Sequence, residues 1–521
     1  MKRWHRTMAA ALAAAWTLAG GAGAQAEVGT EGPWRLSLAD AVQMALENNL
    51  DLAVGRIEPE RARESVVIAQ SAFDPSFSAG VTWNEQQQEP RSSVSPESQT
   101  VKAVTLTYTD PLSTGGQWSA QLSHGEFSQT FPVIGNVQIP AVPSSFSTSL
   151  TLSMQHSLLR NLGLSVNKTS IEQARNSLKI SEEQFRDLVI RTVQQVENAY
   201  WDLVGTRKQL EVAQSSLDLA KDFLEQTKIR VEVGTLPPID ITQAKAEVAS
   251  RVQDVIAAEN RVRDAEDVLR ALLRVPEDSE NWQREILPTD EPGFSPAPVD
   301  AEAAIRTALD RRFEVIQARL ALRNEELGER FYRNQLKPDL RINGDYTVTG
   351  NNFEFVPRII DGNVVVVTEV GGRSDSFSEL QDFDNTNWTV SLNFVLPVGN
   401  RRARADHARA RMAVEQARLR LEAARQQIRV EVRQAVRSVE TAARQVQAAR
   451  ANLELQREKL EAEQKRYENG LSTAYQVLQF QNDLRVAESQ EIAAIIDYNK
   501  ALTDLERAQA TLLEARGIEL P

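Results

Sequence analysis

From Arg401 to Asn469 the chain reads RRARADHARARMAVEQARLRLEAARQQIRVEVRQAVRSVETAARQVQAARANLELQREKLEAEQKRYEN, with no glycine and no proline. Val414, Ala417, Leu421, Ala424, Ile428, Val432, Ala435, Val439, Ala442, Val446 and Leu453 recur at steps of three and four. That period marks one face of an α-helix. A helix this long is far outside the ordinary globular range of about 8–20 residues, so it belongs to a coiled coil or a helical tube. The chain then turns at Arg466-Tyr467-Glu468-Asn469-Gly470-Leu471-Ser472-Thr473 and a helical pattern resumes from Ala474 to Leu513. Glycine just past a helix end takes the left-handed conformation cheaply.

The same construction occurs earlier. Asn167 to Val233 is helical in pattern, and Gly205 alone interrupts it. Its apolar seam is wider than a two-stranded zipper needs, as expected of a helix with a neighbour on each side. At 1.5 Å per residue it spans roughly 100 Å. It ends at Arg230-Val231-Glu232-Val233-Gly234-Thr235-Leu236-Pro237-Pro238, and the proline pair suits the start of a returning helix, Ile239 to Leu273. Each half thus predicts a long antiparallel helical hairpin.

The halves align further. Ala41-Val42, Ala45-Leu46 and Leu50 match Ala304-Ile305, Ala308-Leu309 and Phe313, and Pro75 matches Pro338, at one common offset. Gly234 matches Gly470 at an offset 27 residues shorter, so the first half carries an insertion between its proline and its glycine. Anchors that agree in order indicate an internal duplication. The expected units are a first repeat at 27–274, a linker at 275–299 and a second repeat at 300–515. Pro276, Pro288, Pro292, Pro296 and Pro298 exclude a continuous helix in that linker.

Ahead of each long helix the period changes from 3.6 to 2. Phe77 to Trp83, Val101 to Thr109, Gln117 to Ser123 and Thr148 to Met154 alternate apolar and polar residues, as do Leu340 to Val348 and Thr386 to Leu396. These predict strands. Trp83, Tyr108, Trp118, Tyr346 and Trp388 are candidates for an interfacial aromatic belt. Glu85 to Ser98, Gly125 to Ser147 and Gly350 to Asp384 read as long loops. An extra hairpin is expected over Arg358 to Val370, around Asp361-Gly362-Asn363.

Composition bounds the setting. Lys2, Arg3 and Arg6, an apolar run from Met8 to Ala19 and Ala24-Gln25-Ala26 form the pattern of a secretory signal peptide over 1–26. Beyond it no stretch is apolar enough to span a bilayer as a helix, which leaves a soluble exported chain or a β-barrel. The chain has no cysteine, so disulfides, thiolate metal sites and lipid-modified cysteine are excluded. The net charge is −13, near −16 without the first 26 residues, and no basic surplus points to nucleic acid. His124, His156 and His407 are scattered, and no hydrolase or nucleotide motif is present. No catalytic residue, metal or cofactor is expected.

The chain resembles the TolC-like outer membrane efflux protein family. The resemblance covers essentially all of it after residue 26. It is carried by Leu158-Leu159-Arg160-Asn161-Leu162-Gly163, Ala199-Tyr200-Trp201-Asp202-Leu203, Leu396-Pro397-Val398-Gly399-Asn400-Arg401-Arg402 and Arg466-Tyr467-Glu468-Asn469-Gly470-Leu471. It implies a mixed, mainly α fold: duplicated hairpins forming a trimeric α-barrel, strands given to a shared transmembrane β-barrel, and a mixed α/β equatorial belt. It implies a passive exit duct of a tripartite efflux or type I secretion system, in the outer membrane and extending into the periplasm. Its implied partners are two further copies, a periplasmic adaptor (membrane fusion) protein, an inner-membrane pump and outer-membrane lipid.

By the same resemblance, Gly234, Thr235 and Leu236 with Gly470, Leu471 and Ser472 lie where the adaptor docks. The gate maps to Asp240, Tyr467, Gln476 and Gln479. An arginine often found at the place of Ser472 is absent, and Gln476 and Gln479 stand where some relatives carry pore acids. Asp240 also reads as a plain first-turn acid favouring the helix dipole. Arg401, Arg402 and Arg404 oppose that dipole and point to anionic lipid or a neighbouring subunit's acids, or form a solvated patch. Relatives usually give four strands per subunit, and here the first repeat alone reads as four. The extra pair, Val101 to His124 around Asp110-Pro111-Leu112-Ser113-Thr114-Gly115-Gly116, either enlarges the barrel or lengthens existing strands beyond the membrane; the second is the expectation. The alternative functions are a periplasmic adaptor or a coiled-coil scaffold. Two hairpins, aromatic strands and no lipid anchor argue against both.

Overall fold

A computed structural model describes residues 32–89, 95–131, 133–134, 137–138, 142–296, 298–360 and 363–519. The signal-peptide pattern and the Asp361-Gly362 turn lie outside these residues. The first half runs β1 (Trp34–Leu36), α1 (Leu38–Asn48), α2 (Leu50–Gln70), β2 (Ser76–Gln87), β3 (Ser98–Leu112) and β4 (Gly116–Thr130). Two short strands, β5 (Val133–Ile134) and β6 (Val137–Gln138), precede β7 (Val142–Ser157), α3 (Leu164–Asn167), α4 (Thr169–Glu232) and α5 (Ile239–Leu273). The second half follows as β8 (Ile286–Pro288), α6 (Ala301–Arg311), α7 (Phe313–Asn334), β9 (Asp339–Asn351), β10 (Phe353–Ile360), β11 (Asn363–Val370), α8 (Arg373–Asp382), β12 (Thr386–Val395), α9 (Arg401–Glu468), α10 (Ala474–Gln509) and α11 (Leu512–Ala515).

The two long helices contain 64 and 68 residues, which at 1.5 Å per residue is about 100 Å each. Each is joined by a tight turn to an antiparallel partner, α5 or α10. The long helices also pack across the repeats, α4 against α10 and against α7. Their seam is small and apolar: Val193, Val196 and Tyr200 on α4, and Val432, Val439 and Val446 on α9, are all buried. The aligned anchors Ala41, Val42 and Ala45 on α1 and Ala304, Ile305 and Ala308 on α6 are likewise buried, in two separate apolar clusters. Both short helices start on a side-chain cap, Ser37 accepting from the Asp40 amide and Asp300 from the Glu302 and Ala303 amides.

The proline-rich linker is tied down beside the middle of α4. Its strand β8 pairs in parallel with β1, Trp34 opposite Ile286. Tyr200, fully buried on α4, holds this pair. Its hydroxyl lies 3.1 Å from the Leu36 carbonyl and 2.7 Å from the Asp290 carboxylate, and accepts from the Thr289 and Asp290 amides at 3.2 Å. Burial and the neighbouring Asp290 push its phenol up to about 12. Nearby, the Glu197 carboxylate is wholly buried; Arg516 forks onto it at 2.7 and 2.9 Å and Thr503 donates at 2.9 Å. Both interactions tie the ends of the chain to α4.

All six long strands form one antiparallel sheet in the order β12-β9-β7-β4-β3-β2. Three expectations are corrected here. The extra pair does not lengthen existing strands: β3 and β4 lie side by side between β2 and β7. The alternation of the sequence identifies strands and their faces but carries no information on register, and register alone separates the two arrangements. The segments read as loops are also shorter than expected. β4 continues to Thr130, β9 to Asn351, and α8 occupies part of 350–384. The β10–β11 hairpin begins earlier than expected, at Phe353 opposite Val370.

Candidate functional site at the helical tips

Both hairpins end at the same extremity, opposite the sheet, and pack on one another. Phe223 of α4, Ala244 of α5, Leu460 and Tyr467 of α9, and Ala474, Val477 and Leu478 of α10 share a buried cluster. The two turns are closed alike. Gly234 has φ +82° and Gly470 φ +74°. The Thr235 amide donates to the Arg230 carbonyl and the Leu471 amide to the Arg466 carbonyl, each at 2.9 Å. This is the six-to-one closure that leaves the glycine left-handed. Added Cβ atoms at Gly234 and Gly470 would meet open space. Only the backbone conformation disfavours a side chain there.

The sequence-derived candidates divide into groups. Thr235 returns its hydroxyl to the Arg230 carbonyl at 2.9 Å, Leu471 is exposed, and Leu236 packs on the tip cluster. Gln476 is exposed and locked in a capping box with Thr473, and Gln479 is exposed. Tyr467 is buried against Phe223, ring centroids 5.6 Å apart. No hydrogen bond joins Asp240 to Tyr467 among the described residues. The Asp240 carboxylate is near enough to oppose ionisation of the phenol, which burial first of all pushes above its ordinary value. A polar cross-hairpin contact to Tyr467 comes from Arg230. Its guanidinium stacks 4.9 Å over the ring and donates to the Tyr467 carbonyl at 3.4 Å.

Three polar features of the tip escaped the sequence reading. Glu463 on α9 is buried and takes hydrogen bonds from Ser472 and, at 3.1 Å, from Arg466. Its counterpart at the Gly234–Gly470 offset is Thr227, also buried, which donates to the Phe223 carbonyl of its own helix at 2.8 Å. Higher up, buried Arg251 of α5 reaches Asn482 of α10 at 3.1 Å while paired with Glu247 and Asp254. Charged residues on these helices are numerous, and nothing in the periodic pattern separates the few that turn inward. At the other end, α9 begins at left-handed Asn400 without a side-chain cap, and Arg402 is almost fully exposed, 3.8 Å from Asp406.

Among the described residues the three histidines do not converge. His124, His156 and His407 each hydrogen-bond a separate neighbour (Thr148, Thr114 and Glu329). Among the described residues no three His, Cys, Asp or Glu side chains gather as a metal site, and no helix is long and apolar enough to cross a membrane.

A family model described as "Outer membrane efflux protein" matches residues 41–130, 144–273 and 304–511. The chain belongs to the outer membrane efflux protein family. This family of channel proteins places it in the outer membrane, with its helices extending into the periplasm. The chain is 23% identical over 224 residues to outer membrane protein TolC of Vibrio cholerae, a match over 41% of this chain and 50% of that protein. It therefore spans about half the length of that relative. Among solved structures, a membrane protein of Pseudomonas aeruginosa shares 20% identity at a TM-score of 0.62, over 91% of this chain and 93% of the other. The outer membrane protein VceC of Vibrio cholerae shares 14% at 0.60, over 91% and 96%. The open-state MtrE outer membrane channel of Neisseria gonorrhoeae shares 18% at 0.57, over 91% and 89%. These likenesses carry the fold: two long hairpins capped by a sheet whose strands do not close within one chain.

Proposed function

We propose that this efflux-family protein works as a homotrimeric exit duct of a tripartite efflux or type I secretion system. Two repeats, 27–274 and 300–515 around a linker at 275–299, build each subunit. A periplasmic adaptor docks on the turns at Gly234-Thr235-Leu236 and Gly470-Leu471-Ser472, and an inner-membrane pump supplies the energy. The carrying observation is the pairing of two helices about 100 Å long, whose tips meet at one end, with a six-stranded sheet left open at the other. An open sheet edge is not viable in lipid, which supports closure by further copies. The gate is read as hydrogen-bonded and apolar contacts around Asp240, Tyr467, Gln476 and Gln479, with no ring of acids at the two glutamines.

The protein should fractionate with outer membranes and run as a trimer in detergent. Electron microscopy of that sample should show a tube with one flared end. A monomer, or recovery in the soluble periplasm, would sink the reading.

A further inference from the structure

We infer that three copies of this chain close an eighteen-stranded β-barrel, in which the hairpin β3–β4 is a full part of the membrane wall. The inference rests on the trimeric duct reading and adds to it the size of the outer-membrane aperture.

The register decides where the extra hairpin sits. One row of directly opposed residues crosses all six strands: Phe77, Tyr108, Ala120, Leu152, Tyr346 and Trp388. Every member is apolar or aromatic. The adjacent row on the other face is Ser78, Thr107, Gln121, Thr151, Thr347 and Asn387, and every member is polar. A transmembrane barrel wall alternates in this way, apolar towards lipid and polar towards the lumen. β3 and β4 contribute to both rows at the same level as β2, β7, β9 and β12. A hairpin lengthened beyond the membrane would have no reason to keep the apolar row in register.

The turn of the extra hairpin is also built into the body of the protein. At Gly115, φ is +107° and a Cβ would stand 2.0 Å from the Asn161 carbonyl. Around it the Gly163 amide donates to the Thr114 carbonyl at 2.9 Å and the Ser157 amide to the Gly115 carbonyl at 3.0 Å. Asn161 and Gly163 lead directly into the helical tube. The close approach requires a glycine and fixes the hairpin's lower end at the barrel–tube junction.

Two edges remain, β2 and β12, and along both the side chains are almost entirely exposed. Trp83 and Trp388 are 73% and 72% exposed, and Val81, Val390 and Leu392 lie bare on the same face. The occupant of each edge is the opposite edge of another copy. β2 leads away from α2 and β12 leads down to α9, so the two strands meet antiparallel, like every other pair in the sheet. Three six-stranded sheets give an even strand number, as closed antiparallel barrels of bacterial outer membranes have. Diameter grows roughly linearly with strand number, so the wall is about 1.5 times as wide as one made without β3 and β4. At this size barrels enclose an aqueous channel, and here hydroxyls and amides line it.

A cross-section of the detergent-solubilised trimer by electron cryo-microscopy should show eighteen strands. Twelve, with 98–130 outside the wall, overturns the inference. The cysteine-free chain allows a second measurement in vesicles of phosphatidylcholine with brominated acyl chains. Single variants Leu106→Cys and Leu122→Cys, carrying an environment-sensitive fluorophore, should lose emission, whereas Thr107→Cys and Gln121→Cys should keep it. Leu392→Cys and Ser391→Cys on β12 are the reference. If the reference pair alternates and the hairpin pairs do not, the enlarged barrel is wrong and the duct reading stands. If the reference pair does not alternate either, both fall.

Discussion

The chain reverses direction twice at the far end of its tube, at Gly234 and at Gly470, and the two reversals begin alike and finish differently. On the way in, both use a left-handed glycine and the same pair of backbone hydrogen bonds. On the way out, α5 starts behind Pro237-Pro238 with no side-chain cap, whereas α10 starts on a Thr473–Gln476 capping box. Inside, the matched position is Thr227 in one tip and Glu463 in the other. The first tip is held by preset backbone dihedrals. The second is held by polar side chains that can exchange partners. A duplicated fold has kept its backbone closure and diverged in what makes each tip rigid.

The largest expected effect tests what the tips share. Gly234→Val and Gly470→Val each impose roughly 1–2 kcal/mol of left-handed strain and place a side chain where the backbone faces open space. Trimers should persist and export should be lost, read as loss of whatever resistance or secretion disappears when the chain is deleted. Gly→Asn at both positions separates strain from bulk, because asparagine tolerates this conformation. Export should fail there as well. Survival of export in both valine variants would show that the tips are not the docking site.

A smaller effect should fall on one tip only. Ser472→Ala leaves buried Glu463 with Arg466 as its partner. Removing one partner of a buried polar group costs about 1–3 kcal/mol, and 1.4 kcal/mol is a factor of ten in a local opening equilibrium. Protease cleavage within 470–473 should accelerate about tenfold on that basis, with cleavage at 234–237 unchanged. Thr227→Val leaves no buried charge without a partner, and neither rate should move. Equal acceleration at both tips would erase the distinction between them.

The sequence made the backbone of this comparison legible and hid its interior. Glycine after a long periodic run names a turn, because few residues accept φ near +80°. The strand faces were legible from alternation such as Phe77-Ser78-Ala79-Gly80-Val81-Thr82-Trp83, because the pleat has period 2. Glu463 was not, since an acid three residues before Arg466 looks like one of the many exposed helical ion pairs. Arg251 and Glu197 were hidden in the same way. The placement of β3 and β4 was hidden for a different reason: Thr107 and Gln121 show their faces in the sequence, but their neighbours are set by register. The family is written in motif order and duplication together, while the tip chemistry is set by which polar side chains turn inward.

The finest distinction concerns Tyr467, whose counterpart at the same offset is Val231. The phenol is buried, and burial raises its pKa above the ordinary 10.0. A raised pKa in the folded state means that the fold favours the protonated phenol. The associated stability is fully present below pH 10 and is lost as the pH climbs through the folded value. Tyr467→Phe removes that dependence while leaving every other tyrosine, including Tyr200, in place. The difference in melting temperature between the parent and Tyr467→Phe should therefore be small and flat from pH 7 to 9. Above pH 10 it should move steadily in favour of the variant, as the parent must either keep the phenol neutral or expose it. Val231→Tyr adds a phenol at the matched place in the first tip, and an alkaline loss there would show that any buried phenol suffices. A difference that stays flat to pH 11.5 would mean that Tyr467 is reached by water at the second tip, and that the polar interior separating the two turns is more open than its packing implies.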